Sequence, residues 1–308
     1  MDGDGRAVSN GIAPPPFQLP APDSPDVITA NMTRLTDLTV NDRQRFLFKN
    51  LVSHLHSFVR ETGLTTKEWE ETILFLTRTG QKCTPIRQEF ILLSDVLGVS
   101  ALVDAINNPP ENGATESSVL GPFFTDDAPE LANGESIASE GKGEYMYVEG
   151  RILSVDGTPI PNAAIETWET DANGFYDTQY EGRERADCRG RLHSDKDGYF
   201  GYRAVVPVAY PIPGDGPVGE LLLRMSRHNM RPNHLHIMVE APGFRKLVTA
   251  FYPEGDTYIE SDAVFGVKKS LVVTLETVKD EAEARKRGFP KGDNFKLLRR
   301  DVILVPQS

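Results

Sequence analysis

Between residues 38 and 107 the apolar positions recur every three or four residues. Phe46, Leu47, Leu51, Leu55, Phe58 and Val59 fall on one helical stripe. Thr39, Asn41 and Asp42 stand ahead of it and supply oxygens for the free N–H groups of a first turn. The same period predicts a second helix over Thr66–Thr79 and a third over Ile86–Ile106, where Pro85 suits the first turn. After residue 144 the period shortens to that of strands. The expected strands are Tyr145–Val155, Ala164–Glu169, Tyr199–Val206, His234–Ala241 and Leu271–Val278, with turns at Asp156-Gly157, Asp197-Gly198 and Gly214-Asp215-Gly216-Pro217. This pattern predicts a mainly β protein, an antiparallel β-sandwich capped by N-terminal helices. Asp195-Lys196-Asp197-Gly198 begins like a calcium loop but lacks the later ligands and the closing glutamate, so it reads as a hairpin turn. The first thirty residues are rich in Pro, Gly, Asp and Ala, including Pro14-Pro15-Pro16. The expected organisation is a disordered or extended arm over 1–37, a helical domain over 38–110 and the sandwich over 111–308.

Composition narrows the function. A chain of 308 residues has ample core for one large domain or two smaller ones. A net charge of −12 argues against a nucleic-acid partner. No apolar run approaches the roughly 20 residues of a membrane span. The start, Met1-Asp2-Gly3-Asp4, lacks the basic and apolar parts of a signal peptide, so a cytoplasmic location is expected. Cys83 and Cys188 are too few for a disulfide framework and are expected as reduced thiols. Asn31-Met32-Thr33 fits a glycosylation acceptor and, without a secretion signal, reads as chance.

Candidate chemistry concentrates in Arg231-Pro232-Asn233-His234-Leu235-His236-Ile237-Met238-Val239. Side chains alternate along a strand, so His234 and His236 share one face while Leu235 and Ile237 point into a core. Two imidazoles on one face can bind a single transition metal. Alone, such a pair is more often a strand with one satisfied core histidine, and a tyrosine beside Gly or Pro is more often a packing residue. The order of segments shifts that balance. Asn173-Gly174-Phe175-Tyr176 comes first, then Val206-Pro207-Val208-Ala209-Tyr210-Pro211-Ile212-Pro213, then the histidine pair, all within the β region. Two imidazoles and two phenols suit ferric iron, a trivalent Lewis acid that holds a phenolate deprotonated well below its free pKa of about 10.

Together with Thr115-Glu116-Ser117-Ser118-Val119-Leu120-Gly121-Pro122-Phe123 and Gly157-Thr158-Pro159-Ile160-Pro161-Asn162-Ala163, these segments resemble the intradiol ring-cleavage dioxygenases over roughly residues 41–305. The resemblance implies non-haem Fe(III), one per subunit, held by Tyr176, Tyr210, His234 and His236. It implies cleavage of a catechol-type ring by O2 between the two hydroxylated carbons. Tyr210 is then the ligand that leaves the metal and takes a substrate proton, while Tyr176 stays bound. Arg231, otherwise a solvated charge beside a strand, becomes a pocket arginine that stabilises negative charge as oxygen attacks.

The stretch Phe90–Gly98 resembles the pocket helix of the hydroxyquinol-cleaving branch, which implies that Leu92 and Asp95 approach the ring. Asp95 would accept a hydrogen bond from a third ring hydroxyl; the plain alternative is a cap or ion pair on a helix surface. Val119, Gly121, Pro122, Phe123, Ile212, Pro213 and Val264 complete the implied substrate pocket. One position departs from the pattern. Fourteen residues after His236, catechol-cleaving members typically carry a glutamine, and this chain has Ala250. The expected reaction is therefore oxidation of hydroxyquinol (benzene-1,2,4-triol) to maleylacetate in aromatic degradation, with catechol cleavage to cis,cis-muconate as the alternative. A non-catalytic β-sandwich binding module is the remote alternative, and a zinc hydrolase is weaker still because neutral phenols are poor zinc ligands. The resemblance also implies a homodimer through the N-terminal helices, with a tunnel that can hold a phospholipid.

Overall fold

The computed structural model describes residues 9–84, 87–111, 113–289 and 294–307. The chain divides into two compact units, Met1–Phe75 and Leu76–Ser308.

The first unit holds α1 (Pro25–Thr36), α2 (Asp42–Thr62) and the start of α3 (Thr66–Lys82). Helix α1 lies inside the segment expected to be a loose arm. Its Pro/Asp-rich start, read as a sign of disorder, serves as a helix start: Ser24 caps it by accepting from the Val27 N–H, and Pro25 occupies the first turn. Arg60 on α2 then secures it, donating to the Pro25 carbonyl at 2.6 Å and the Thr29 hydroxyl at 2.8 Å. Asn41 caps α2 by accepting from Gln44 N–H at 2.9 Å, as its sequence suggested. Helix α2 buries none of its residues, and its apolar stripe from Phe46 to Val59 stands exposed.

In the second unit the helix expected over Ile86–Ile106 is two helices, α4 (Glu89–Val96) and α5 (Val99–Asn107). The break is at Gly98, whose φ of 74° belongs to the left-handed region and cannot continue a helix. Pro85 and Ile86 lie outside the described residues. The remaining elements are β1 (Tyr145–Ser154), β2 (Ala164–Glu169), β3 (Arg189–His193), β4 (Tyr199–Val205), β5 (Tyr210–Pro211) and α6 (Pro217–Arg224). After these come β6 (Met230–Arg231), β7 (Leu235–Glu240), β8 (Leu247–Pro253), β9 (Val272–Val273), β10 (Glu276–Val278), α7 (Glu281–Lys286), β11 (Phe295–Arg299) and β12 (Val302–Leu304).

One sheet runs β10-β11-β1-β12 with β4 also on β1; the other runs β3-β2-β7-β8-β9. Their facing sides share a core that includes Val148, Ile152 and Phe200 from the first and Ile165, Leu192, Ile237 and Phe251 from the second. The antiparallel expectation holds for β1–β4, β2–β3, β2–β7, β7–β8 and β10–β11, but β1 pairs in parallel with β11 and β12, and β8 with β9. The expected strand Leu271–Val278 is split for the same reason: β9 joins one sheet and β10 the other. A second apolar cluster lies on the outer face of the β3–β9 sheet and gathers Leu92, Trp168, Tyr176, Tyr210, Ile212, Met238 and Val264.

Candidate metal centre

Strand β7 carries the two-faced pattern its sequence promised. Leu235, Ile237 and Val239 enter the inter-sheet core, while Met238 joins the outer cluster. His234 sits one residue before the strand and His236 within it; both are buried. His236 lies between Trp168 on β2 and Ala250 on β8 in the strand register, and the Trp168 ring stacks on it at 4.7 Å and 9°. Ala250, the departure noted in sequence, is thus the direct cross-strand neighbour of His236.

Tyr176 follows β2 on a turn in which Gly174 has φ 79° and donates to the Asp171 carbonyl. A Cβ at Gly174 would sit 3.4 Å from the Cβ of Tyr210, so glycine lets the two tyrosine segments approach. Tyr210 arrives on the short β5–β6 ribbon, directly paired with Arg231. Two segments twenty-one positions apart therefore deliver a phenol and a guanidinium to one place.

The four donor atoms converge. Tyr176 Oη lies 3.4 Å from Tyr210 Oη and 3.3 Å from His234 Nε2, which is 3.1 Å from His236 Nε2. His234 Nδ1 donates to the Pro232 carbonyl at 2.7 Å, which assigns its proton there and leaves the Nε2 lone pair facing inward. His236 Nδ1 is buried with no partner. Burial pushes both imidazoles well below their usual pKa, with nearby positive charge and, for His236, the neighbouring His234 adding to it; both are neutral donors. Burial likewise holds the Tyr176 hydroxyl well above the usual phenol value, and the neighbouring Tyr210 raises it further. His234, protonated at Nδ1, turns a bare Nε2 toward His236 Nε2 at 3.1 Å, and a cation between the rings satisfies both nitrogens when His236 also carries its proton at Nδ1. Among the described residues no group of three or more His, Cys, Asp or Glu side chains converges, so a metal here must use the phenols. That donor set fits a hard trivalent ion.

Arg231 is buried, which removes the surface-charge reading. Its Nη1 lies 3.3 Å from Tyr210 Oη and 3.2 Å from His234 Nε2, its Nε donates to Asp262 Oδ1 at 3.2 Å, and its Nη2 to Tyr252 Oη at 3.3 Å. Burial works against its charge, but Asp262, then Tyr210 and Tyr252, hold it firmly protonated. The Tyr252 hydroxyl, pushed up to about 12 by burial, remains protonated and contacts Ser118 Oγ at 3.2 Å.

The sequence-selected pocket residues gather unevenly. Leu92, Ile212 and Val264 pack in the cluster with both tyrosines, and Val119 packs against it. Phe123 stacks on Tyr176 at 4.4 Å and 17°. Gly121, at φ 75°, comes close enough that a Cβ there would meet His236 Nε2 at 3.7 Å. Pro213 is half-buried and Pro122 exposed. Asp95 is buried on α4, not a surface cap. Burial raises its pKa, against the Ser100 hydrogen bond and Arg231, which lower it. Asp95, Val119 and Gly121 line one cavity of about 610 Å³ with residues of α5 and β8.

Asp262, Tyr252 and Trp168 escaped the sequence reading. No spacing marks Asp262, thirty-one positions from Arg231, and Trp168 reads as an ordinary strand aromatic until the β2–β7 register is known.

Comparison with known proteins covers most of the chain. Residues 41–115 match a family described as catechol dioxygenase N terminus, and residues 119–298 match one described as dioxygenase. The chain is 51% identical over 250 residues to 6-chlorohydroxyquinol 1,2-dioxygenase of Cupriavidus pinatubonensis, covering 81% of this chain and 90% of that one. Its fold superposes on hydroxyquinol 1,2-dioxygenase from Pseudomonas putida with a TM-score of 0.86 at 44% identity, covering 92% and 99%. Catechol 1,2-dioxygenase of Acinetobacter radioresistens gives 0.77 at 27% identity, covering 91% and 94%.

Proposed function

The chain belongs to the intradiol ring-cleavage dioxygenases, and we propose that it opens hydroxyquinol with O2 to give maleylacetate, using one Fe(III) per subunit. The observation that carries this reading is the run of donor atoms Tyr210 Oη, Tyr176 Oη, His234 Nε2 and His236 Nε2, spaced 3.4, 3.3 and 3.1 Å in turn, beside a buried guanidinium. Tyr176, Tyr210, His234 and His236 hold the metal. When bound, ferric iron supplies the Lewis acidity that lets a chelated catecholate react with triplet oxygen.

The chain's own residues do the rest. Tyr210 Oη takes a substrate proton, and Arg231 Nη1, 3.3 Å away, faces the phenol as it becomes neutral. Tyr176 remains a fixed anionic donor, its ring held by the Phe123 stack. Arg231, anchored by Asp262, faces the negative charge that grows during oxygen attack, a role worth several kcal/mol in a buried site. Leu92, Val119, Ile212 and Val264 exclude water. Asp95 accepts a hydrogen bond from the third hydroxyl, and this, with the names of the relatives, favours hydroxyquinol over catechol.

The test is kcat/KM for benzene-1,2,4-triol and catechol under air. A preference of about tenfold or more for the triol supports the assignment, since one charge-assisted hydrogen bond supplies that much. A preference for catechol would return the muconate-forming reading. Iron-loaded protein should be burgundy from phenolate-to-iron charge transfer, and a colourless product favours a binding module.

The exposed stripe of α2 supports a homodimer through the N-terminal helices. A phospholipid held there would appear in an organic extract of purified protein. No helix among the described residues is long and apolar enough to cross a membrane, and we place the enzyme in the cytoplasm.

A further inference from the structure

We propose that Arg189 is a positioning residue for the reaction, one that fixes the Tyr176 phenol and the Phe123 wall relative to the bound ring; the inference rests on the ferric intradiol reading. Arg189 closes the start of β3 and is buried. Its guanidinium serves two segments at once. Nε donates to both carboxylate oxygens of Asp177 at 2.9 and 3.0 Å, and Nη2 donates to Asp177 Oδ1. On the other side Nη1 donates to the Phe123 carbonyl at 3.0 Å and the Thr125 hydroxyl at 2.7 Å.

Both partners lead to the same phenol. Asp177 is the residue after Tyr176, and its carboxylate also accepts from Thr178 N–H, Asp187 N–H and Arg183 Nε, which fastens the turn behind the tyrosine. Phe123 is the ring stacked on Tyr176, and it meets Tyr210 edge-on at 6.2 Å. Arg189 is also the cross-strand partner of Trp168, which stacks on His236. One planar fork thus spans the backbone behind one ligand and the wall in front of it. A lysine keeps the charge but cannot reach both sides.

The test uses the full chain loaded with Fe(III), comparing wild type with Arg189→Lys. The expected variant keeps iron and a near-wild-type melting temperature. Its visible charge-transfer band, which reports phenolate orientation, shifts, and its KM for benzene-1,2,4-triol rises about tenfold with a smaller change in kcat. In the metal-free variant, amide exchange over residues 121–125 and 175–180 quickens. A folded variant with the wild-type band and KM overturns the proposal, even when its melting temperature falls, because that is the signature of an ion pair that only stabilises. Where Arg189→Lys does not fold, Thr125→Val decides, since it removes one acceptor of Nη1 alone: a smaller band shift and KM rise support the role, and their absence overturns it. A wild-type protein that stays colourless with iron overturns the ferric reading and this inference together, whereas coloured wild type with unchanged variants overturns the inference alone.

Discussion

The two phenols at the centre have different proposed tasks, and single substitutions separate them. Tyr176→Phe removes a donor expected to stay anionic throughout turnover, so iron content and colour should fall together. Tyr210→Phe should keep some iron, with shifted colour and slowed substrate deprotonation. Equal behaviour of the two in metal analysis and visible spectra would refute the division of roles. Arg231→Lys keeps the charge but cannot bridge Asp262, Tyr252 and Tyr210 together. Its turnover should drop at least about tenfold with iron content near wild type. For Asp95 the informative quantity is the sign of the specificity change. A charge-assisted hydrogen bond is worth roughly 1.5–3 kcal/mol, so Asp95→Ala should cost about ten- to a hundredfold in kcat/KM on hydroxyquinol and leave catechol unchanged or improved. Because burial raises the Asp95 pKa, the wild-type preference should also fade as pH drops through that raised range, and Asp95→Asn should flatten the profile. The residues legible in the sequence were those whose type is demanded by chemistry at a recognisable spacing. Asp262 and Arg189 contact the residues around the centre rather than carry a donor themselves, and those contacts became visible only once folding joined distant segments.

At the scale of elements, strand β2 was read to the residue, since Ile165, Thr167 and Trp168 favour extended backbone and turn residues lie close to both ends. The errors fell where a local pattern permits two outcomes. An apolar run from 86 to 106 suits one helix or two, and Gly98 decides through its backbone conformation. The run from 271 to 278 suits one strand, and only the competition of two sheets divides it. The end of β2 holds a measurable electrostatic cost. Glu169 is fully buried; its Oε1 accepts from Val205 N–H at 2.9 Å and its Oε2 has no partner. Burial raises its pKa well above the ordinary 4.5, against the Val205 hydrogen bond, so the fold retains a proton the unfolded chain releases. The contribution to stability is full below 4.5 and is lost as pH rises towards the raised value, by about 1.4 kcal/mol per unit. Glu169→Gln has no such slope. Its melting temperature should exceed wild type by more at pH 8 than at pH 5, and an equal difference at both would mean that Glu169 keeps its proton in neither state.

For the whole molecule, the change from helical to strand period after residue 144 was legible, but the compact units divide between Phe75 and Leu76, so α4 and α5 belong to the unit that holds the sheets, a boundary no change of period marks. What covers the helical part was legible only as a surplus. Phe46, Leu51, Leu55 and Phe58 remain exposed, more apolar surface than a lone chain carries at no cost. Leu51→Glu combined with Leu55→Glu should give a monomer in sedimentation velocity while the iron colour survives, and a dimer that persists would place the contact elsewhere.

The β5–β6 ribbon has a consequence for redesign. It is two pairs long, Tyr210 with Arg231 and Pro211 with Met230, and it is continued by Ile212 N–H donating to Asn229 carbonyl at 2.8 Å. Prolines at 211 and 232 have no N–H to offer a shifted partner, so the register resists slipping. Everything between Pro213 and His228, α6 included, leaves and re-enters through this clasp. The outward residues of that excursion can therefore be exchanged between relatives while the clasp holds the spacing of phenol and guanidinium, provided that Val218 and Leu222, which pack in the cluster with both tyrosines, and Arg227, which donates to the Val96 and Ala263 carbonyls, are kept.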